Sequence, residues 1–484
     1  MLKRRLRLAE LVGLVLVGTL LIVTGGAAVA GQANVTQSHA LVSSGGIHKI
    51  KHIVVIMQEN RSFDSYFGTY PGADGFPMKN GVPAVCVPDP KRGTCVRPYH
   101  DRADLNGGGP HFSADARDDI NSGKLDGFIA QAERGRRGCL NAVNPACTNS
   151  TTPDVMGYHN GSDIPNNWAY AKNFVLQDHM FAPTLAWSLP SHLYMVSGWT
   201  ALCHRPHVAA SCSSVIDNPA YPPDFARGAT TPDYAWTDLT YLLNKRHVSW
   251  GYYVFAQRRL CTRYVFSCPR SVRRASTPDI WNPLPFFDTV RDDKQRGNVQ
   301  DISNFYTAAR KGTLPAVSWV IPSGAVSEHP PALVSAGQSY VTGVINTIMK
   351  SPDWDSTAIF LSWDDWGGFY DHVAPPVVDG SGYGIRVPGL VISPYARRGY
   401  IDHQTLSSDA YLKFIENDFL GGQRLDPATD GRPDPRPDVR ENAPQLGELG
   451  NDFNFNQPPR APLLLSTHPR TDLVKPAAIP TIAP

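Results

Sequence analysis

The chain of 484 residues carries 45 lysines and arginines against 43 aspartates and glutamates, which gives a formal net charge of +2. The basic residues are scattered, and this excludes the long basic stripe of a nucleic-acid-binding protein. No amphipathic basic helix indicates stable attachment to a membrane. The length suffices for one large α/β domain with insertions or for two domains.

The first 30 residues have the three parts of a secretory signal peptide. Basic residues begin the segment, residues 11–23 are apolar, and an Ala-Val-Ala motif at residues 28–30 suits cleavage. The apolar run is short for a membrane span, so an uncleaved anchor is the less favoured alternative. We predict a secreted or extracytoplasmic protein from which residues 1–30 are removed, by either the general or the twin-arginine export route.

Eight cysteines in an exported chain indicate disulfide bonds. They form close sequential couples in loop-like sequence, namely Cys86 with Cys95, Cys139 with Cys147, Cys203 with Cys212, and Cys261 with Cys268. We predict this local pairing. A zinc site is the alternative, but no couple has the spacing of a zinc-binding pair.

The first predicted strand belongs to residues 50–64, with the sequence Ile-Lys-His-Ile-Val-Val-Ile-Met-Gln-Glu-Asn-Arg-Ser-Phe-Asp. A β-branched apolar run of this kind is typical of a strand that is buried on both faces of a parallel sheet. Ligands of such sheets bind beyond the carboxyl ends of the strands. We therefore expect Glu59 and Asn60, which follow the run, to project into a binding crevice.

The remaining elements are typical of a parallel α/β sheet covered by helices. Residues 65–155 lack periodicity and predict long ordered loops around a short helix near 118–134. Further elements are predicted in this order: a helix at 163–171, strands at 174–176 and 317–321, a helix at 339–350, strands at 358–363 and 387–392, and a helix at 411–419. We predict a linker at 31–47, one α/β domain at 48–424, and an irregular tail rich in Pro and Asp at 425–484.

A second strand followed by acids occurs at residues 358–363, with Asp364 and Asp365 directly after it. If both strands lie in one sheet, these two acids converge with Glu59 and Asn60. Carboxylates so close together repel one another unless a cation lies among them. Oxygen ligands suit hard cations better than a thiolate-rich zinc site would. We predict one divalent metal ion, which is Ca²⁺, Mg²⁺, Mn²⁺ or Zn²⁺.

A candidate nucleophile lies in the sequence Trp-Ser-Leu-Pro-Ser-His at residues 187–192. Pro190 suits the first turn of a helix. Ser188 is therefore expected at the helix N-terminus, where free N–H groups and the helix dipole favour an anion. A phosphoryl group bound there would meet the Ser188 hydroxyl. The spacing alone also fits a serine that only caps the helix.

Several motifs occur in a fixed order along most of residues 48–420. They are the stretch 50–64, Ser188 to Tyr194, Glu328-His329-Pro330-Pro331, Trp363 to Val373, Arg386-Val387-Pro388, and Ile392-Ser393-Pro394. Together they resemble the bacterial phosphoesterase family that contains phosphatidylcholine-type phospholipases C and a respiratory-burst-inhibiting acid phosphatase. The Glu-Asn-Arg-Ser-Phe-Asp and Gly-Gly-Phe-Tyr-Asp-His segments are the most specific of these motifs.

The resemblance implies an alkaline phosphatase-like α/β fold, with a largely parallel central sheet between helices, and a metal-assisted hydrolase of phosphate esters. In the family, a Glu-Asn pair and an Asp-Asp pair hold one metal beside a Ser or Thr nucleophile. These positions map onto Glu59, Asn60, Asp364, Asp365 and Ser188. Ser188 is preferred to Ser191 because the family nucleophile lies two residues before a proline. Many members have Asn where this chain has Ser191, so a phosphate contact of that Asn is not carried over.

A leaving alkoxide needs a proton, for which histidine is the usual donor. His329 and His372 follow predicted strands, and we assign them as catalytic residues together with Ser188. Four further residues are assigned to substrate binding: Arg61, His111, His179 and His192. For Arg61 the alternative is a structural ion pair with Asp64.

The resulting hypothesis is an exported, metal-dependent phosphoric ester hydrolase of the phospholipase C or acid phosphatase type, which acts through a phosphoserine intermediate. Its partner would be a small-molecule or lipid phosphate ester, with transient contact to a membrane surface in the lipid case and no nucleic acid. The oligomeric state stays open. The alternatives are a sulfatase-like or phosphonate-hydrolase-like enzyme, for which the Cys-x-Pro-x-Arg motif is absent around Ser188, and a catalytically silent surface-binding module.

Overall fold

A computed structural model of the protein describes residues 44–135, 153–222, 231–256 and 276–477. Its core is an eight-stranded sheet. In chain order the strands are β1 (His52–Gln58), β2 (Val175–Gln177), β3 (Trp250–Val254), β4 (Val299–Asp301), β5 (Val317–Val320), β6 (Thr357–Trp363), β7 (Gly389–Ile392) and β8 (Tyr400–Asp402). Their order across the sheet is β4-β3-β5-β1-β6-β7-β2-β8, and β7 is the strand that runs antiparallel to its neighbours.

The two central strands carry the apolar runs seen in the sequence. β1 and β6 pair in parallel, from His52 opposite Thr357 to Gln58 opposite Trp363. Every residue of β6 is buried, and so is every residue of β1 after His52. Strands buried on both faces need cover on both sides of the sheet. The predicted α/β fold with a largely parallel central sheet is confirmed.

Helices and short strand pairs surround the sheet. The described α-helices are α1 (Ser44–Ile47), α2 (Phe63–Phe67), α3 (Ser113–Ile120), α4 (Phe128–Gly135), α5 (Pro165–Asn173), α6 (Ser188–Ser197), α7 (Leu239–Lys245), α8 (Asp288–Asp292), α9 (Ile302–Lys311), α10 (Val334–Met349) and α11 (Ser408–Phe419). The short strand pairs are Met78–Lys79 with Val82–Pro83, Val87–Asp89 with Thr94–Val96, Tyr99–His100 with Gly157–Tyr158, and Ala201–Cys203 with Cys212–Ser214.

Some element boundaries differ from the predicted ones because local side-chain contacts set them. The helix expected near 118–134 is two helices, α3 and α4, since Asn121 and Ser122 have left-handed backbone conformations after α3. Helix α5 begins at Pro165 and not at Asp163, because the Asp163 carboxylate accepts the N–H of Asn160 in the preceding turn.

Two of the four predicted disulfides are confirmed. Cys86–Cys95 and Cys203–Cys212 each join the two strands of a short antiparallel pair outside the central sheet. The predicted couples Cys139–Cys147 and Cys261–Cys268 lie outside the described residues, as does the predicted signal peptide. None of the helices in the described ranges is long and apolar enough to cross a membrane.

The C-terminal segment, residues 425–477, follows α11 and contains two short 3₁₀ turns, Arg440–Asn442 and Leu449–Asp452. It packs against the domain through buried apolar residues, among them Leu425, Leu449 and Phe453. It also buries Asp452 and Asp402 of β8, and the charge of Asp402 acts on Asp452. Two carboxyl groups removed from water repel each other when both are ionised, so folded Asp452 tends to keep its proton.

Asp452 gives a first testable prediction. Burial, together with the Asp402 charge, raises the pKa of Asp452 well above its usual value. The unfolded chain releases this proton above about pH 4, while the folded chain keeps it, so wild-type stability falls as the pH rises. Asp452→Asn keeps the shape and can donate permanently to Asp402. We expect the variant to be at least about 1.4 kcal/mol more stable than wild type at pH 8, the equivalent of one pKa unit, and similar at pH 4.

Urea unfolding at the two pH values measures this difference. Asp438→Asn, which changes an exposed residue of the same segment, is the matched control and should leave the pH dependence as it is. If the free energy of unfolding depended on pH equally in Asp452→Asn and in wild type, this would contradict a proton held by Asp452 in the folded protein.

Candidate active site

The carboxyl ends of β1 and β6 bring four polar residues together. Gln58 and Trp363, the last residues of the two strands, lie opposite each other. The N–H of Asp364 donates to the carbonyl of Gln58 at 3.0 Å, which extends the pairing by one step. Glu59 and Asp364 therefore leave the sheet side by side, although 304 residues separate Asn60 from Asp364. All four side chains, of Glu59, Asn60, Asp364 and Asp365, are fully buried.

Asn60 connects the two acidic strand ends. Its backbone N–H donates to Oδ1 of Asp364 at 2.9 Å, and its side-chain Nδ2 donates to Oδ1 of Asp365 at 2.6 Å. Asn60 has a positive φ of 57°, a conformation in which Asn is several-fold enriched among residues other than glycine. The amide oxygen of Asn60 is left without a hydrogen-bond donor among the described residues.

Glycines after Asp365 allow this close approach. Gly367 has a φ of 61°, and a Cβ atom there would lie 2.7 Å from Cβ of Asn60. Gly368 has a φ of 75°, and a Cβ there would lie 2.4 Å from Cα of Gly109. Larger residues would thus push away either Asn60 or the loop that carries Gly109. The N–H of Gly367 donates to Oδ1 of Asp365 at 2.7 Å and fixes that carboxylate.

The ionised forms of the three carboxyl groups are unfavourable, chiefly because the groups are buried. Burial, and then the charge of Asp364, raises the pKa of Glu59 well above its usual value. Burial, followed by the charge of Asp365, raises the pKa of Asp364 to about 6. Burial raises the pKa of Asp365 to about 7. A cation among these groups would remove the conflict, because it stabilises the ionised forms.

The residues fit a divalent cation. Oε2 of Glu59, Oδ1 of Asn60 and Oδ2 of Asp364 are buried, and no donor among the described residues contacts them. Buried lone pairs without a donor are costly unless an ion or water meets them. His192 adds a nitrogen, since one ligand atom each from Glu59, His192 and Asp364 lie within 4.8 Å of one another. Carboxylate and amide oxygens suit Mg²⁺, Ca²⁺ and Mn²⁺, while the added imidazole also suits Zn²⁺.

Ser188 lies at the edge of this cluster. It is the first residue of α6, only 3% of it is exposed, and its Oγ donates to Oδ2 of Asp365 at 3.4 Å. The first N–H groups of a helix have no intrahelical partner and carry the positive end of the dipole. A hydroxyl, a helix N-terminus and a candidate cation site therefore meet at one point, which suits attack on a phosphoryl group.

His192 follows Ser188 by one turn of α6 and faces the same cluster. Its Nε2 lies 2.9 Å from Oε1 of Glu59, and both side chains are fully buried. Burial lowers the pKa of His192 to about 4, so the imidazole is neutral at physiological pH. We predicted a substrate-binding role from the sequence. The contact with Glu59 adds a second use, as a ligand or orienting partner of the metal site, which the i, i+4 spacing from Ser188 would have indicated.

Arg61 lies beneath the site and is fully buried. Its Nη1 donates to the carbonyl of Asn60 at 2.9 Å and its Nε to the hydroxyl of Tyr66 at 3.1 Å. The guanidinium stacks on the ring of Phe369 at 4.6 Å. The alternative ion pair with Asp64 is not formed, because Asp64 contacts Arg386 and His372 instead. The structure thus joins Arg61 to the backbone of a candidate metal ligand.

His329 and His111 belong to an aromatic row beside the cluster. The ring of Trp281 lies 6.4 Å from that of His192 and 6.1 Å from that of His329. His111 follows, with its ring 5.9 Å from that of His329 and 6.2 Å from that of Trp366. Burial, and then the His111 charge, lowers the pKa of His329 to about 4. The row leads through Trp281 to His192, and the N–H of Glu59 donates at 3.0 Å to the carbonyl of Ser327, two residues before His329.

His372 and His179 belong to a separate polar cluster. His372 Nδ1 lies 2.7 Å from Oδ2 of Asp64, and His179 Nε2 lies 2.9 Å from Oδ2 of Asp74. Among the contacts of the described residues, none joins either histidine to Ser188 or to the carboxylates of the candidate metal site. Their assigned roles stay predictions, and the geometry favours His329 and His111 for them.

Arg386 is the centre of that separate cluster and gives a second prediction. It is fully buried, and its Nε and Nη2 donate to Asp371 at 2.9 Å and to Asp64 at 3.1 Å. Arg386→Met would leave two carboxylates buried without their partner. We expect a loss of about 3–5 kcal/mol in the free energy of unfolding. Arg398→Met, at an exposed arginine, should change it by less than about 0.5 kcal/mol.

Chemical denaturation of both variants measures this prediction. A loss below about 1 kcal/mol in Arg386→Met would contradict a structural role for the charge cluster.

Four residues without a role assigned from the sequence have contacts at the site: Trp281, Asn106, Tyr66 and Glu328. The ring of Trp281 stacks beside that of His192, the side chain of Asn106 accepts a hydrogen bond from Arg61, and Glu328 accepts one from Tyr66. Burial raises the pKa of Glu328 to about 7. Of these residues, Glu328 alone stood in a recognisable motif, beside His329. The others depend on contacts between distant loops, which leave no local signal.

Comparison with known proteins gives the class of this chain. The model of the Phosphoesterase family matches residues 50–420. Phospholipase C B of Mycobacterium tuberculosis is 27% identical over 477 residues, which cover 88% of this chain and 82% of that protein. Non-hemolytic phospholipase C of Burkholderia pseudomallei is also 27% identical, over 86% of this chain and 60% of that protein. The protein is a hydrolase that acts on phosphoester bonds. It belongs to the Phosphoesterase family.

Solved structures show weaker similarity. A protein of the alkaline phosphatase superfamily from Vibrio parahaemolyticus aligns with a TM-score of 0.31 and 11% identity, over 76% of this chain and 66% of that chain. A phosphonate monoester hydrolase from Silicibacter pomeroyi aligns with a TM-score of 0.27 and 13% identity, over 58% of this chain and 73% of that chain.

Proposed function

We propose that the protein is an exported, metal-dependent phosphoesterase of the phospholipase C type that acts through a phosphoserine at Ser188. The observation that carries the proposal is the position of the Ser188 hydroxyl, which lies at the N-terminus of α6 and within 3.4 Å of a buried carboxylate cluster. Glu59, Asn60, Asp364 and Asp365 would hold the metal. The buried oxygens without donors support this assignment.

The residues of the chain divide the chemistry among them. A bound divalent cation would supply positive charge that lowers the pKa of the Ser188 hydroxyl and neutralises phosphoryl oxygens. Ser188 Oγ attacks phosphorus in line with the leaving alcohol, and forms a phosphoserine that water then hydrolyses. The N-terminus of α6 binds the phosphoryl oxygens through its free N–H groups.

The leaving alcohol takes a proton from a histidine. His329 and His111 lie in the aromatic row next to the cluster, and their rings are 5.9 Å apart. The pKa of His329 is lowered to about 4, because burial disfavours its charged form. The negative charge of the bound phosphodiester would raise it again, since an opposite charge favours the imidazolium. We assign His329 as the proton donor and His111 as its neighbour on the substrate side.

The relatives named phospholipase C support a phosphodiester substrate such as phosphatidylcholine. The leaving group would then be a diacylglycerol, and the enzyme would meet it at a membrane surface. The two confirmed disulfides support an oxidising, extracytoplasmic location. The predicted signal peptide agrees with that location.

A substrate comparison tests the proposal. The mature, disulfide-intact protein is assayed with p-nitrophenylphosphorylcholine and with p-nitrophenyl phosphate, each with and without a chelator. We expect chelator-sensitive hydrolysis with kcat/KM at least about 10-fold higher for the diester, a difference of about 1.4 kcal/mol. A preference for the monoester would support the acid phosphatase type instead. Hydrolysis of neither ester would overturn the proposed function.

A further inference from the structure

The C-terminal segment lies outside the part of the chain that matches the family, since the match ends at residue 420. Two of its arginines nevertheless reach the helix that begins with Ser188. The side chains of Arg436 and Arg440 are only 1% and 2% exposed. Arginine is rarely buried unless it is fully paired, because removing its charge from water costs free energy. The partners of these two arginines therefore show which parts of the fold they stabilise.

Arg440 contacts both the loop that precedes α6 and the middle of α6 itself. Its Nη2 donates to the carbonyl of Pro183 at 2.7 Å, in the loop that leads into α6. Its guanidinium is stacked between the rings of Tyr194 of α6 at 4.8 Å and Tyr383 at 4.9 Å. Stacked cations of this kind contribute about 0.5–2 kcal/mol per ring. Arg440 thus holds the chain on both sides of Ser188.

Two carboxylates keep the Arg440 guanidinium in this orientation. Its Nε lies 2.7 Å from Oδ2 of Asp379, and its Nη1 lies 3.5 Å from Oδ2 of Asp409 in the first turn of α11. The planar guanidinium therefore has hydrogen-bond acceptors at Nη1 and Nη2 and an ion-pair partner at Nε at the same time. Lysine, with a single point of charge, cannot reproduce this pattern.

Arg436 holds the opposite end of the same helix. Its Nη1 donates at 3.0 Å to the carbonyl of Ser197, the last residue of α6, and its Nη2 donates at 2.7 Å to the carbonyl of Thr237. Asp434 pairs with the guanidinium through both carboxylate oxygens, at 3.0 Å each. A cation at a helix C-terminus also interacts favourably with the helix dipole.

We propose that the C-terminal segment positions the nucleophile of the enzyme, with Arg440 and Arg436 as positioning residues that fix α6 relative to the carboxylate cluster. The inference rests on the proposed role of Ser188. Ser188 is the first residue of a ten-residue helix, so a small rotation of α6 displaces its Oγ from Asp365. A displacement of about 1 Å at a reacting atom can lower the rate about 10²-fold. Residues 50–420 alone therefore lack Arg436 and Arg440, which help to determine the geometry of the active site.

The test compares two substitutions at Arg440 in the full chain. Arg440→Met removes the charge and the hydrogen bonds. Arg440→Lys keeps a charge opposite Asp379 but cannot also reach Pro183. For protein shown to be folded by near-ultraviolet circular dichroism, we expect kcat per folded molecule to fall about 10²-fold in the methionine variant and at least about 10-fold in the lysine variant. KM and bound metal should stay at the wild-type level, because the contacts of Arg440 among the described residues include none with Glu59, Asp364 or Asp365.

Arg460→Met is the matched control. Arg460 belongs to the same segment, donates to the carbonyls of Asn173 and Ala396 at 2.7 Å each, and stacks on Phe174 at 4.7 Å, but it has no contact with α6 among the described residues. It should lower the free energy of unfolding as Arg440→Met does and leave kcat unchanged. This comparison separates positioning from a general loss of stability.

Ser188→Ala is measured in parallel, so that the two proposals can fail separately. If Ser188→Ala keeps its activity, the proposed function falls. If Ser188→Ala is inactive while folded Arg440→Lys has the wild-type kcat, the positioning role alone is overturned. An equal fall of kcat in Arg440→Met and Arg460→Met would also overturn it.

Discussion

Ser188→Ala should lower kcat at least about 10³-fold, a loss of about 4 kcal/mol in transition-state stabilisation. The variant removes the atom that would attack phosphorus. The hydrogen bond of the Ser188 hydroxyl to Asp365 is long, at 3.4 Å. The free energy of unfolding should therefore change by less than about 1 kcal/mol.

Ser191→Ala is the matched control for this experiment. Ser191 lies on the same helix, is fully buried, and its Oγ has no hydrogen-bond partner among the described residues. It lies one helical turn after Ser188, and no hydrogen bond among the described residues joins it to the carboxylate cluster, so turnover should stay within a few-fold of wild type. Together the two variants decide between the two serines of the motif.

Trapping adds a direct measurement to the kinetics. Acid quenching during turnover of p-nitrophenylphosphorylcholine, followed by peptide mass spectrometry, should find phosphocholine on the peptide that contains Ser188 in wild type and not in Ser188→Ala, because p-nitrophenol leaves and the headgroup stays on phosphorus. Unchanged turnover in Ser188→Ala, or phosphocholine on Ser191, would contradict the assignment of the nucleophile.

Removal of divalent metal should abolish activity and lower stability together. Glu59, Asp364 and Asp365 are fully buried, and burial is the main cause that raises the pKa of each. With a cation among them they become a favourable site. Binding at 100 times the dissociation constant stabilises a folded protein by about 2.7 kcal/mol. Chelation should reverse this gain, and re-addition of Mg²⁺, Ca²⁺, Mn²⁺ or Zn²⁺ should show which ion restores turnover.

The stability gap between metal-loaded and metal-free protein should widen as the pH rises. In the metal-free protein the pKa values of Asp364 and Asp365 are about 6 and about 7. The unfolded chain loses these protons near pH 4, so metal-free stability falls from about pH 4 to pH 7. The cation cancels this loss. We expect the gap to grow by at least about 1.4 kcal/mol over that range, equivalent to one pKa unit.

Thermal unfolding at pH 4 and pH 7, with elemental analysis of each sample, measures this effect. Asp364→Asn supplies the control: it should bind less metal and show a smaller response to chelation. A gap that stays constant with pH, or a chelator that leaves wild-type activity intact, would contradict a metal site at these carboxylates.

The convergence of the two strand ends follows from local sequence. The run before Glu59 is rich in β-branched residues and the run before Asp364 is apolar, and both patterns are typical of a buried parallel strand. Acids directly after such runs must then emerge at one edge of the sheet. No turn or loop intervenes that could redirect them. The position of Ser188 also follows from local sequence, because Pro190 indicates the first turn of its helix.

The places of the histidines could not be obtained in this way. Gly367 and Gly368 turn the chain sharply, and the backbone then pairs with Val155, so His372 arrives beside Asp64. His329 reaches the site because the N–H of Glu59 donates to the carbonyl of Ser327, a contact between distant loops. Neither event leaves a periodic pattern. The C-terminal arginines escaped notice for the same reason, in a segment without periodicity.

The parallel pairing of β1 with β6 also determines when the metal can bind during folding. The ligands contributed by the two strands are about three hundred residues apart, and they meet only after this long-range pairing has formed. Contacts of such large sequence separation form slowly. An ion in the folding buffer therefore cannot act as a template for early collapse. Metal binding would instead indicate that the sheet is complete. A chain that stops folding before this stage would bind no metal and would be inactive.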